Sequence, residues 1–232
     1  MTSDDTRELF LSPARYIDSD HPVIRRTAAK VAPGAAPAGK ARALYYEVRD
    51  SIAYSTLPPS RAGSMADYLR DPETYRASSV LAAGSGYCVS KAALYTALCR
   101  AAGIPAKIAF ADVRNHHVTG WRLREALGTN LFAWHGYSEI LLDGRWITVT
   151  LMFDTALCDR LGVAPIEFDG ESDALLQPFD SQGRRFFGYV SRHGTFHDVP
   201  AEFLSTEMPS RYPGLHNHRS RSGRSQPASP AA

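Results

Sequence analysis

GSGYCVSKAALYTALCRAAGIPAKI, residues 84–108, holds a turn, a helix and the start of a strand in one run. The Gly84-Ser85-Gly86 turn delivers Cys88 to the first position of an apolar helix that is expected to end at Ala102. Gly103 is suited to the C-terminal cap there and Pro105 to the stop. Leu94, Leu98 and Ala101 mark one face of this helix, and Val89, Ala92, Ala93 and Ala97 mark a second. A helix apolar most of the way round belongs at the centre of a core. Cys88 then projects from the tip of a rigid element, where backbone N–H groups and the helix dipole favour a thiolate.

Downstream, AKIAFADVR (106–114) reads as a strand. WHGYSEILL (134–142), the turn Asp143-Gly144 and RWITVT (145–150) read as a hairpin. Gly120 and Gly128 bracket a more polar stretch, helical or loop. Upstream, a helix is expected from about Lys40 to Ala53 with Leu44, Val48 and Ile52 on one stripe, after a linker from Ala32 to Gly39. Residues 1–30 read as a lead-in with a short helix, and residues 54–75 as irregular. Arg76 to Leu81 leads into the glycine turn. Past the hairpin come a helix over Thr155–Leu161, loops, and a further strand at RRFFGYV (184–190). A central helix followed by an antiparallel sheet makes the expected class α+β.

At 232 residues, with 44% hydrophobic and 22% charged residues, the composition is that of one globular domain. No apolar run reaches the roughly 18 residues of a membrane span, and the acidic N-terminus does not read as a secretion signal, so no membrane partner is expected. Three cysteines without a paired spacing fit a reducing, cytoplasmic setting. No HExxH or paired-Cys pattern occurs, so neither metal nor cofactor is expected. Residues 211–232 hold Arg211, Arg219, Arg221 and Arg224 and no acid. They read as part of a solvated basic tail (209–232) rather than a nucleic-acid site. The folded part is then a single domain over 1–208 with its core at about 40–160.

The chemistry-bearing residues fall in the order cysteine, histidine, acid: Cys88, His135 within Trp134-His135-Gly136-Tyr137, and Asp154. A free thiol is mostly protonated at neutral pH, so Cys88 needs the helix N-terminus, a nearby imidazole or both to act as a nucleophile. His135, on the first strand of the hairpin, can reach it, and an acceptor on or beyond the next strand would fix the imidazole tautomer. Backbone N–H groups at the helix start can bind an oxyanion. Cys99 and Cys158 read as buried packing, Glu139 and Trp146 as hairpin packing, and Lys91 as a solvated lysine. Tyr87 and Trp134 flank the proposed nucleophile and base.

These residues resemble the transglutaminase-like cysteine enzymes, bacterial stand-alone members above all. The likeness lies in G-x-C-x-x-x-A (Gly86, Cys88, Ala92), A-G-I-P-A (Ala102 to Ala106) and H-x-Y-x-E-I-x-L-x-G-x-W (His135 to Trp146). It implies a papain-like core with Cys88 as nucleophile and His135 as base. The family's usual aspartate four residues after the tryptophan is replaced here by Thr150, and Asp154 is the next acid, preferred as third member. The resemblance implies acyl transfer through a Cys88 thioester, from a small peptide or small-molecule amide or ester donor, to water or to an amine acceptor. The alternative is a catalytically weak relative that binds a peptide or protein partner.

Overall fold

The computed structural model describes residues 3–34, 36–55, 64–116 and 127–217. In chain order it contains α1 (Ser3–Leu9), α2 (Pro22–Val31), α3 (Pro37–Ser51), β1 (Ala53–Tyr54), α4 (Met65–Arg70), a 3₁₀ turn (Pro72–Tyr75), α5 (Ala77–Ala83) and β2 (Ser85–Gly86). Then come α6 (Cys88–Ala101), β3 (Ala106–Asn115), β4 (Leu131–Leu142), β5 (Arg145–Val149), α7 (Thr155–Leu161), β6 (Phe187–Phe196), α8 (Ala201–Ser210) and α9 (Pro213–Asn217). The stretch 117–126, expected as helix or loop, lies outside the described residues. No described helix is long and apolar enough to cross a membrane.

The fold is α+β, as expected. Four strands in the order β5-β4-β3-β6 pair antiparallel, and β1 and β2 make a small parallel ladder beside them. Helix α6 lies across the large sheet and is buried at every residue from Cys88 to Arg100. Thr96 on this helix is matched by Ser138 on β4: Thr96 Oγ1 meets Ser138 Oγ at 2.9 Å, and Ser138 Oγ donates to the Ala92 carbonyl at 3.1 Å. Buried hydroxyls with such partners cost little and fix the register of helix on sheet. The helix ends as the sequence predicts, with Gly103 at φ +82° and the Ile104 N–H donating to the Cys99 carbonyl. Asp143 and Gly144, both at positive φ, form the two-residue hairpin turn. Lys107 bridges to Glu139 at 3.0 Å and lies over the Trp146 ring, so Glu139 and Trp146 serve the hairpin.

Two cations buried along α6 tie the helix to the rest of the chain. Arg100 donates to the carbonyls of Ala106 (2.8 Å), Ser12 (2.8 Å) and His197 (2.6 Å), joining the lead-in, β3 and the end of β6. Lys91, expected in solvent, is instead fully buried. Its ammonium donates to the carbonyls of Arg49 (2.9 Å) and Ile52 (2.6 Å), capping the C-terminus of α3. A lysine on an otherwise apolar helix can only be buried where carbonyls receive it.

Several elements depart from the expected boundaries. Residues 64–75 are not irregular: Ser64 Oγ accepts the Asp67 N–H and starts α4. The third sheet partner runs over Phe187–Phe196 rather than 184–190, because Ser191-Arg192-His193 lies on a half-exposed edge strand and reads as polar loop. The folded domain also extends past residue 208. Helix α8 continues to Ser210, Tyr212 is buried at 4% exposure, and α9 follows, so the tail does not begin at 209. Residues 218–232 lie outside the described residues.

Replacing Lys91 by Met removes both donors from the end of α3 and leaves two buried carbonyls unmet, an expected loss of about 1–3 kcal/mol in urea unfolding. Burial also holds the Lys91 pKa down to about 8 from 10.5, against the pull of Asp154 and Asp50. Between those pH values the unfolded chain binds the extra proton, so the contribution of this group to stability rises with pH. The deficit of Lys91→Met should therefore widen from pH 8 to 10, and a flat or shrinking deficit contradicts the buried ammonium.

Candidate active site

The glycine turn has two separate steric causes. Gly84 sits at φ +62° as the left-handed cap of α5. Gly86 comes so close to the first turn of α6 that a Cβ there would lie 2.8 Å from Ser90 Cβ. The parallel pairing of Tyr54 with Gly86 fixes the angle at which the chain enters the helix. Tyr87 occupies the N-cap position without a side-chain hydrogen bond, so its side chain does not cap the first-turn N–H groups. Cys88 is 6% exposed at this end of the helix.

Strand β4 brings the histidine to the thiol. Gly136 packs on Val89 so tightly that a Cβ would lie 2.8 Å from Val89 Cα. The Gly136 and Val89 N–H groups both donate towards Cys88 Sγ. Because Gly136 N is bonded to the His135 carbonyl carbon, the His135 Cα lies within about 6 Å of the sulfur. His135 is 1% exposed, and neither ring nitrogen has a hydrogen-bond partner among the described residues. Burial pushes the Cys88 thiol up to about 11, opposed by the Gly136 and Val89 N–H groups, and pushes His135 down to about 4. Both shifts favour the neutral forms, thiol and imidazole, over the ion pair.

The chain just before His135 is held in an unusual backbone. Trp134 has φ +53°, and its N–H donates to Asp112 Oδ1 at 3.0 Å. The same oxygen meets His193 Nε2 at 2.7 Å, and the His193 ring stacks on Trp134 at 4.1 Å between centroids. Asp112 therefore stabilises a left-handed residue that costs roughly 1–3 kcal/mol and that sets the direction in which His135 leaves the strand. No pattern in the sequence marks Asp112 or His193 for this task, because the three residues meet only across β3, β4 and β6.

The acids and hydroxyls after the hairpin separate. Asp154 does not pair with His135: Oδ1 accepts the Leu157 N–H (2.8 Å) as N-cap of α7, and Oδ2 accepts the Tyr54 N–H (2.8 Å). The DTALC run is a capping sequence, which explains why Asp154 is drawn there. Thr150, one step beyond the Ser138–Val149 pair, falls by strand alternation on the face that carries Tyr137 and His135. Its Oγ1 is buried and faces the Tyr189 hydroxyl without closing a hydrogen bond. Cys99 and Cys158 are buried packing residues, with thiols that burial pushes up to about 12 and about 11.

Cys88 opens into an apolar pocket of about 40 Å³. Tyr54, Leu69, Tyr87, Phe132, Met208 and Tyr212 are among the residues that line it. The Tyr212 hydroxyl donates to the Ala133 carbonyl at 3.2 Å, which holds this C-terminal segment against β4.

Two outcomes follow from this geometry. The rate of Cys88 alkylation by iodoacetamide, followed by peptide mass, should climb through pH 9–11 without a plateau near pH 6, since the folded thiol titrates at about 11. A plateau near pH 6 that His135→Ala removes would show a preformed ion pair instead. Gly136→Ala forces β4 away from the backbone of α6, which no rotamer change relieves. It should cost about 1–3 kcal/mol, lowering Tm by several degrees in a thermal scan. An unchanged Tm rules out the close approach.

The model of the Transglutaminase-like superfamily matches residues 25–151, more than half of the chain. A comparison with curated proteins finds no match. Among solved structures, the "putative cysteine protease" of Cytophaga hutchinsonii is similar at 19% identity and a TM-score of 0.50, over 88% of this chain and 50% of that one. The periplasmic domain of TgpA from Pseudomonas aeruginosa is similar at 21% identity and a TM-score of 0.42, over 64% of this chain and 47% of that one. The chain thus spans about half the length of these solved relatives, and at such identities the likeness is one of fold. With a family model that matches residues 25–151, the stretch that holds the helix-borne cysteine and the hairpin histidine, the chain belongs to the transglutaminase-like superfamily.

Proposed function

We propose that the protein is a cysteine-dependent acyl-transfer enzyme in which Cys88 is the nucleophile and His135 the base. The observation that carries the reading is the meeting of Cys88, which lines an apolar pocket, with the first turn of α6 and with Gly136, the residue that follows His135 on β4. Sγ attacks the carbonyl carbon of an amide or ester as its proton passes to His135 Nδ1 or Nε2, neither of which is otherwise engaged. The leaving amine or alcohol takes that proton, and a thioester remains on Cys88. Water or an amine then attacks the thioester and returns the thiol. Because burial favours the neutral thiol and imidazole, the proton moves during attack, as it does for a serine nucleophile. The N–H groups at the start of α6 supply the oxyanion site, each donor worth about 3 kcal/mol.

A second reading has one observation in its favour: among the described residues no carboxylate orients His135, since Asp154 is committed to α7 and Tyr54. On that reading the cleft binds a peptide or protein without turning it over. Incubation with p-nitrophenyl acetate separates the two. The enzyme reading expects a burst of p-nitrophenol, an acetyl mass adduct on Cys88 alone, loss of both in Cys88→Ser, and a fall of about 10²–10⁴-fold in acylation rate in His135→Ala. Absence of any Cys88 adduct, with the protein folded, favours the binding reading.

A further inference from the structure

The geometry points to a substrate whose acyl group carries an apolar chain, aliphatic or aromatic, and no charge. This inference rests on the acyl-transfer reading of Cys88 and narrows it to a class of donor. The pocket into which Cys88 opens is bounded by Tyr54, Met65, Leu69, Phe132, Met208 and Tyr212 among others, and no described residue lining it is charged. A carboxylate or ammonium entering would lose its water and find no counter-charge among them, a cost of several kcal/mol. An apolar chain instead gains from burial of its surface, and the lining methionines Met65 and Met208 adapt to its shape.

The pocket holds the acyl part rather than the leaving group for a chemical reason. When R–CO–X reacts, the C–X bond breaks, HX departs with the proton relayed by His135, and R–CO stays bonded to Sγ. Sγ itself lines the pocket, so R remains there until water or an amine releases it as R–COOH or an amide. At about 40 Å³ the space beside Sγ is narrow and suits one small side chain or a short acyl chain. Of the three tyrosines that line it, Tyr212 already has its hydroxyl engaged with the Ala133 carbonyl.

The test compares p-nitrophenyl hexanoate with the mono-p-nitrophenyl ester of glutaric acid, which share a leaving group and differ in a terminal charge. Acylation of Cys88 is followed by intact mass and p-nitrophenol release, and each rate is divided by the rate with N-acetylcysteine to remove intrinsic reactivity. The expected result is a preference of about tenfold or more for hexanoate. Met65, only partly buried on α4, serves as a probe of the wall: Met65→Lys should shrink or invert the preference, whereas Met65→Gln, similar in length and uncharged, should keep most of it. Equal normalised rates for the two esters, or a full preference surviving in folded Met65→Lys, overturns the apolar-acyl inference while leaving the nucleophile intact. No acylation of Cys88 by either ester, or by p-nitrophenyl acetate, overturns the acyl-transfer reading and this inference with it.

Discussion

The close contact between Gly136 on β4 and the Val89 backbone on α6 is the constraint on which the site depends. It allows no side chain at 136, and it seats a strand directly against the first turn of a helix. From that one approach follow the N–H donated to Cys88 Sγ, the proximity of His135 and the burial of both groups. The same burial that assembles the pair holds it neutral, because desolvation raises a thiol and lowers an imidazole. Proximity and activation therefore pull in opposite directions here, and the backbone N–H groups are what moderate the conflict at sulfur.

Much of the fold could be read from residues whose local chemistry leaves little choice. Gly103 and Pro105 ended α6, Asp143-Gly144 made the hairpin, and the apolar run around α6 placed it in the core. Thr155–Leu161 was found with its boundaries. The segments that escaped are short or have one face in solvent: α4 and α5 are six and seven residues long, and β6 carries polar residues on an exposed edge. Such elements are held by tertiary contacts, and their periodicity is too brief to register. The Ser64/Asp67 cap was the available signal for α4 and was outweighed by the prolines and glycine before it.

At the site, legibility followed the same division. The glycine turn, Cys88 and the hairpin histidine are local patterns. Lys91 and Asp154 are not, since their environments depend on where the end of α3, β1 and α7 arrive. A lysine between apolar residues looks solvated until the carbonyls of Arg49 and Ile52 are seen to converge on it. An aspartate before Thr-Ala-Leu is better understood as a helix cap than as a partner for a distant imidazole.

The wall contributed by Met208 and Tyr212 has a consequence for how the molecule comes into being. Tyr212 closes on Ala133 across 79 positions of sequence, and Arg100 waits for His197 in the same way. Most of the sheet and α6 can pack from residues made earlier, but two residues that line the cavity beside the thiol, Met208 and Tyr212, are synthesised long after Cys88. During vectorial synthesis the nucleophile would thus exist before its chamber does. Competence for chemistry arrives as a late, cooperative event of folding rather than as a property of the central helix.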